Sequence, residues 1–199
     1  MIKSIFKRIY YAIASIWVYK FLLKLFFGFP YKDIAIELSQ IKGFIGYDIR
    51  FIFYKKTLKK CGSQLRVHFG SYIVYQDVEI GRRCSIEENS VVSLCSIGDD
   101  VIIAANVSIM SGGNQHETDN LEVKFHDSNL PIKRVAIGNN VWIGTHSVIM
   151  ADVADGTILG AGSILTKNIN ENDCIYGGVP GIQIISATLM DEWREVANC

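Results

Sequence analysis

Aliphatic residues recur every six positions through the second half of the chain. Ile80, Ile86 and Val92 form one series, Ile97, Ile103 and Ile109 the next, Ile137, Ile143 and Ile149 a third, and Val153, Leu159 and Leu165 a fourth. Counting each aliphatic as the first place, small residues recur at the fifth (Cys84, Ser90, Ser147, Thr157, Ser163). Glycine or alanine recurs at the second (Gly81, Gly98, Ala104, Gly138, Gly144, Gly160). A period of six is neither the 3.6 of a helix nor the 2 of a half-buried strand. It suits a short strand plus a corner, with each aliphatic pointing inward onto its equivalent in the next coil. One such unit buries almost nothing, so the units must stack. Three make a triangular coil, and coils sit at the ordinary strand spacing of ~4.8 Å. A β-sandwich would instead alternate with period two and turn every 8–12 residues. The pattern therefore predicts an all-β fold, a parallel β-helix over residues 60–185 with a loop insertion at 111–135. Outside the insertion, residues 65–176 supply about five coils. The spacing shortens from Val92 to Ile97 and again from Ile149 to Val153, which reads as corner deletions.

Upstream, residues 1–59 lack the period and predict an N-terminal basic and apolar helical segment. Its longest uncharged run, Ile9–Tyr19, has 11 residues, short of the ~20 that cross a bilayer core. Lys20 and Lys24 interrupt the apolar residues beyond it, and no small-residue cleavage site succeeds it. On a helix, Lys3, Ser4, Lys7, Arg8, Tyr11 and Ser15 share one arc, and Ile2, Ile5, Ile9, Ile13, Ile16 and Trp17 lie mainly elsewhere. The segment has two readings: an interfacial anchor, or a helix packed on its own protein or on a neighbouring subunit. Pro30 ends this helix, Ile34–Leu58 predicts one more, and residues 186–199 predict a short C-terminal tail helix.

The 199 residues are 49% apolar and 20% charged, which suits one packed domain with appendages and excludes a disordered chain. The net charge of zero hides an asymmetry. Residues 1–32 hold six Lys or Arg and no acid, whereas 33–199 hold fourteen basic and twenty acidic residues. A positive segment confined to one end points to an anionic partner, a membrane before nucleic acid. The five cysteines are scattered, with no C-x-x-C pair. They read as buried or free thiols in a reducing cytosol, which makes the expected location cytoplasmic, at the inner face of the membrane if the basic segment binds there.

The stretch AIGNNVWIGTHSVIMADVADGTILGAGSILTKNINENDCIYGGVPGIQI carries a family resemblance. Its most specific parts are Val141-Trp142-Ile143-Gly144, Gly160-Ala161-Gly162-Ser163, Thr166-Lys167 and the closing Gly178-Val179-Pro180. Over residues 60–185 the chain resembles the hexapeptide-repeat acetyltransferases, in the branch with galactoside, maltose and surface-polysaccharide O-acetyltransferases. The resemblance implies a left-handed coil, against the usual right-handed crossover, and a homotrimer with active sites between subunits. It also implies acetyl-CoA as co-substrate with no metal required. The acceptor it implies is a sugar or polysaccharide precursor, lipid-linked in some relatives.

Acetyl transfer from a thioester needs a base for the acceptor's proton, donors for the oxyanion and a groove for the pantetheine arm. Neutral histidine suits the first task. His68 and His146 fall at repeat corners and should be solvated, and His126 lies in mid-insertion. His116, in SGGNQHETDN at the start of the insertion, matches the catalytic base of the resembled family, with Glu117 or a backbone carbonyl to orient it. The resemblance assigns coenzyme A to Gly144, Thr145, Ala161, Gly162, Thr166 and Lys167, with Lys167 near the nucleotide phosphates. Trp142 is either groove wall or core. One departure is Ile182 and Ile185, where relatives carry basic residues. N-acetylation of a nucleotide-linked amino sugar is the alternative, but no G-x-G-x-x-G follows a strand. Serine acetylation would bring an acidic helical domain, and hydration of carbon dioxide three closely spaced histidine ligands. A non-catalytic coil would have no use for both the His116 loop and Thr166-Lys167.

Overall fold

The computed structural model describes residues 2–113, 115–120, 122–128, 130–186, 188 and 189, without the side chains of 2–8 and 10. Three parallel sheets run along a triangular coil. The first face contains Lys60–Cys61, Glu79–Ile80, Cys95–Ile97 and Val135–Ile137, extended by a bridge from Ile137 to Val153. The second holds Arg66–Val67, Ser85–Ile86, Ile102–Ile103, Trp142–Ile143, Ile158–Leu159 and Ile175–Gly177. The third holds Tyr72–Ile73, Val91–Val92, Ser108–Ile109, Val148–Ile149 and Ile164–Leu165. This amounts to five complete coils and the start of a sixth. There Ile182–Ile185 folds back antiparallel onto Ile175–Gly177.

Register explains the period. Ile86 pairs with Ile103, Ile103 with Ile143, and Ile143 with Leu159, so aliphatics stack in columns along the axis. Each of these four is at most 1% exposed. The fifth-place small residues are buried beside them: Ser90, Ser147, Thr157 and Ser163 at 0%, and Cys84 at 2%. Their hydroxyls serve the corners; Ser90 Oγ, for example, donates to the Ala104 carbonyl at 2.9 Å. The second-place glycines allow coils to touch. A Cβ on Gly81 would lie 2.4 Å from the Gly98 carbonyl oxygen, and one on Gly98 2.7 Å from that of Gly138. The two shortened spacings fall where the third face turns back to the first. The columns hold across both, since Cys95 pairs with Val135 and Ile137 bridges Val153.

Three helices close the first coil. α1 spans Ile2–Phe26, α2 Tyr31–Ser39 and α3 Gly43–Thr57. The single helix expected over Ile34–Leu58 is thus two, broken at residues 40–42. Gly43 stands there at φ +76°, a value that favours glycine. Arg50, 1% exposed, holds the break together. Its Nη1 donates to the carbonyls of Leu38 (3.2 Å) and Ile41 (2.9 Å), and its Nε to that of Val67 (2.7 Å). A cation at the C-terminus of α2 also suits that helix's dipole. Tyr54 reaches the coil as well, its hydroxyl accepting the Ile73 N–H at 3.2 Å. The helices cover what would otherwise be an open sheet end. The two readings of α1 divide along its length: its C-terminal half packs on the body through Ala14, Val18 and Phe21, and its outer face does not pack. Of the expected 186–199 tail helix, all but Ser186, Thr188 and Leu189 lies outside the described residues.

Candidate active site

Two columns of corners border the third face. Where the second face turns into the third, each corner carries one residue of positive φ: Gly70, Asn89, Asn106, His146 and Gly162 in successive coils. Gly144-Thr145 and Ala161-Gly162 stand on this column. Thr145 Oγ1 donates to the Ala105 carbonyl at 2.6 Å, and the Gly162 N–H donates to the Thr145 carbonyl at 2.8 Å, which ties three coils together. The two glycines differ. A Cβ on Gly144 would lie 2.5 Å from Ala161 N, so the next coil takes that space, whereas nothing lies within 4 Å of a Cβ on Gly162. Trp142, on the adjoining second face, points outward and is 53% exposed between outward Ile102 and Ile158. It is a surface residue rather than core.

The other column lies where the third face turns back to the first. Thr166 and Lys167 stand on it, both exposed. The insertion leaves the same column two coils earlier, after Met110, and returns at Val135. At one strand spacing per coil its base is ~10 Å from Thr166.

His116 sits in this loop. Its Nδ1 is 3.1 Å from the Phe125 carbonyl oxygen and 3.3 Å from Ser128 Oγ. A carbonyl can only accept, so Nδ1 carries the proton and the neutral ring keeps its lone pair on Nε2. Ser128 Oγ also accepts the Glu117 N–H at 2.9 Å, which locks the two limbs of the loop. Glu117, one of two expected orienting groups, instead caps its own turn by accepting the Asp119 N–H at 2.7 Å. The backbone carbonyl is the orienting group. Phe125 and Ser128 carried no signal in the sequence, being nine and twelve residues from His116 in irregular chain. His126 occupies the 3₁₀ turn Phe125–Asp127 that presents the carbonyl.

Of the other histidines, His146 is an exposed corner residue at φ +60°, as expected. His68 is not simply solvated. Its Nδ1 meets Glu88 Oε1 at 2.9 Å, its ring packs edge-on against Tyr47, and its side chain is 23% exposed. The nearby imidazole holds the Glu88 carboxyl below the usual carboxylate range. The reason for the difference is α3, which brings Tyr47 over that corner. Ile182 is 65% exposed beside the closing turn, so the apolar departure is on the surface.

The expected site residues thus fall into two groups on one chain. Gly144, Thr145, Ala161 and Gly162 lie along one edge of the third face, with Trp142 on the second face beside them, and Thr166, Lys167 and the base of the His116 loop lie along the other. Every hydrogen bond and ring contact found for His116 among the described residues stays within its own loop.

A parallel β-helix of six-residue units with a histidine-bearing loop is the class of protein that fold and site define. No family model matches the chain. A galactoside O-acetyltransferase of Escherichia coli is 44% identical over 89 residues, covering 43% of this chain and 40% of that protein. A solved galactoside acetyltransferase in complex with coenzyme A superposes with a TM-score of 0.69 at 28% identity, covering 81% of each chain. A maltose O-acetyltransferase from Clostridium difficile gives the same TM-score at 24% identity, covering 78% of this chain and 84% of that one, which speaks for the fold. The chain spans less than half the length of the curated relatives it matches. In coil, register and these likenesses the chain is similar to the hexapeptide-repeat, left-handed β-helix acetyltransferases.

Proposed function

We propose that the protein transfers the acetyl group of acetyl-CoA to a hydroxyl of a saccharide, as a C₃ homotrimer whose active sites lie between subunits. The observation that carries this reading is the His116 ring, held by Nδ1 on the Phe125 carbonyl, the tautomer whose Nε2 lone pair can act as a base. Nε2 takes the proton of the acceptor hydroxyl as its oxygen attacks the thioester carbonyl. The tetrahedral intermediate collapses, the carbon–sulfur bond breaks, and the coenzyme A thiolate recovers the proton from His116. The corner of Thr145, Ala161 and Gly162 receives the pantetheine arm. Gly162 suits close approach because nothing fills the space beside it. Trp142 forms an outward wall, Gly144 lets the coils beneath close up, and Thr166 and Lys167 meet the nucleotide end. The relatives support a sugar acceptor: a galactoside enzyme at 44% identity and a coenzyme A complex of the same kind. A trimer is favoured because the two groups of residues stand on opposite edges of a face. The loop of one subunit can then complete the corner of the next.

The test is turnover with acetyl-CoA and a panel of saccharides, following free thiol and product mass. An ester product should be cleaved by mild hydroxylamine, whereas an amide from amino-sugar acetylation should resist. His116→Ala should lower turnover by ~10²–10⁴ and leave coenzyme A binding intact. Near-full turnover of that variant would remove His116 as the base.

A further inference from the structure

α1 presents a surface that acetyl transfer does not use. Ala14, Val18 and Phe21 are buried on the body, at 0%, 0% and 3% exposure. The opposite side shows Ile9, Ile13, Ile16 and Leu23 at 50%, 40%, 69% and 55%. These positions, spaced by four, three and seven, lie on one face of the helix. Trp17 flanks them, and the last residue of the helix and the turn after it expose Phe26, Phe27 and Phe29 at 82%, 72% and 54%. Every described side chain of α1 before Ala14 is exposed. Among them is Tyr11, seven residues before buried Val18 and so on the same side of the helix. Ile9, Tyr11, Ala12 and Ile13, the side chains described there, are thus uncovered on both sides of the helix. An apolar surface on this scale marks an interaction site.

Charge separates the two candidate covers. Residues 1–32 contain six cations and no acid. Packing this face against that of a second copy would crowd like charges with no acid in the segment to meet them. Glu37 of α2 engages Lys20 and Lys24, but it serves those two within the same chain. An anionic surface reverses the sign of the problem. No described helix is long and apolar enough to cross a membrane, which leaves a helix lying in the plane of the interface. We infer that α1 and the Phe26–Phe29 turn dock on an anionic lipid surface, with the isoleucine row and aromatic turn at the headgroup–acyl boundary. Aromatic side chains favour that depth.

The full chain should co-sediment with phosphatidylglycerol-containing vesicles, bind pure phosphatidylcholine vesicles much less, and lose binding as salt shortens the Debye length. Replacing three exposed residues together (Ile16→Ser, Trp17→Ser, Phe27→Ser) should weaken partition by about tenfold or more, because each removes buried apolar area at the interface. Thermal unfolding and acetyl transfer to a soluble acceptor should not change, since none of the three is buried. No vesicle binding, equal binding to both vesicle types, or a triple variant that binds like the native chain would each overturn the inference. A triple variant that instead loses oligomeric mass in light scattering would assign the face to contacts between copies and overturn it too. The vesicle measurement needs neither acetyl-CoA nor acceptor, so its failure is distinct from failure of the catalytic reading.

Discussion

Arg50 and His116 show how single side chains act here through backbone carbonyls. Arg50 is a buried cation whose hydrogen bonds among the described residues all go to backbone carbonyls. It is held by the carbonyls of Leu38, Ile41 and Val67, two at the end of α2 and one on the first coil. Burial draws its pKa below the usual guanidinium value, yet a guanidinium still suits the place, because its fork reaches carbonyls in two directions. Arg50→Met should leave those carbonyls unsatisfied and cost about 3 kcal/mol. The loss would be read as a lowered denaturant midpoint at constant slope. Arg50→Lys should recover only part, since one ammonium cannot span the same carbonyls. A Met variant as stable as the native chain would mean that the caps close without it. At His116 the carbonyl of Phe125 does a different job: it fixes which ring nitrogen carries the proton, so in the proposed reaction main chain would orient the base.

At the level of elements, the coil and the loop obey different constraints. Each coil must accept its neighbour at strand spacing, and the corner glycines are where backbone meets backbone. Gly98→Ala would put a methyl 2.6 Å from Asn139 Oδ1 and 2.7 Å from the Gly138 carbonyl carbon and oxygen, and that main chain cannot yield even if the side chain does. It should cost about 1–3 kcal/mol, as overpacking does. Gly113 lies in the insertion with nothing within 4 Å of a Cβ. Gly113→Ala should change stability by no more than about 0.5 kcal/mol. Thermal melts of the two variants side by side test the contrast, and equal effects would refute it. The same freedom lets the insertion leave and return without disturbing the columns, since Ser108–Ile109 and Val148–Ile149 pair directly beneath it.

For the whole molecule, the arrangement on one chain asks for a neighbour. The corner of Thr145 and Ala161 and the root of the His116 loop lie on opposite edges of the third face. A site that uses both is readily built across a subunit boundary. Light scattering should give three times the 22.3 kDa chain mass. A sharper test mixes two variants each expected to be inactive, His116→Ala and Ala161→Trp, the second placed to block the proposed donor corner. Subunits exchanged under mild denaturant and reassembled should regain part of the activity. In a mixed trimer some interfaces pair an intact loop with an intact corner. A mixture that stays inactive would place the whole site within one chain.

The coil was legible in the sequence because its energetics are local and repeated. Each aliphatic meets the same neighbour one coil on, so one contact, copied along the chain, appears as a period of six. The second-place glycines and small fifth-place residues were visible for the same reason, as were the insertion and the histidine at its start, because an interruption stands out against a repeat. What only the tertiary structure decided involves pairs met once. Residues 31–57 divide into two helices around Arg50, whose carbonyl partners lie between nine and seventeen residues away. His68 leaves solvent because α3 sets Tyr47 over it and the next coil supplies Glu88. Phe125 and Ser128, not Glu117, hold His116. α1 is packed at Ala14, Val18 and Phe21 and bare at Ile9, Ile13 and Ile16 because the body meets one side of it, a matter of relative placement. Such contacts join unlike residues across unrelated distances, and a pattern that occurs once has no period by which to be read.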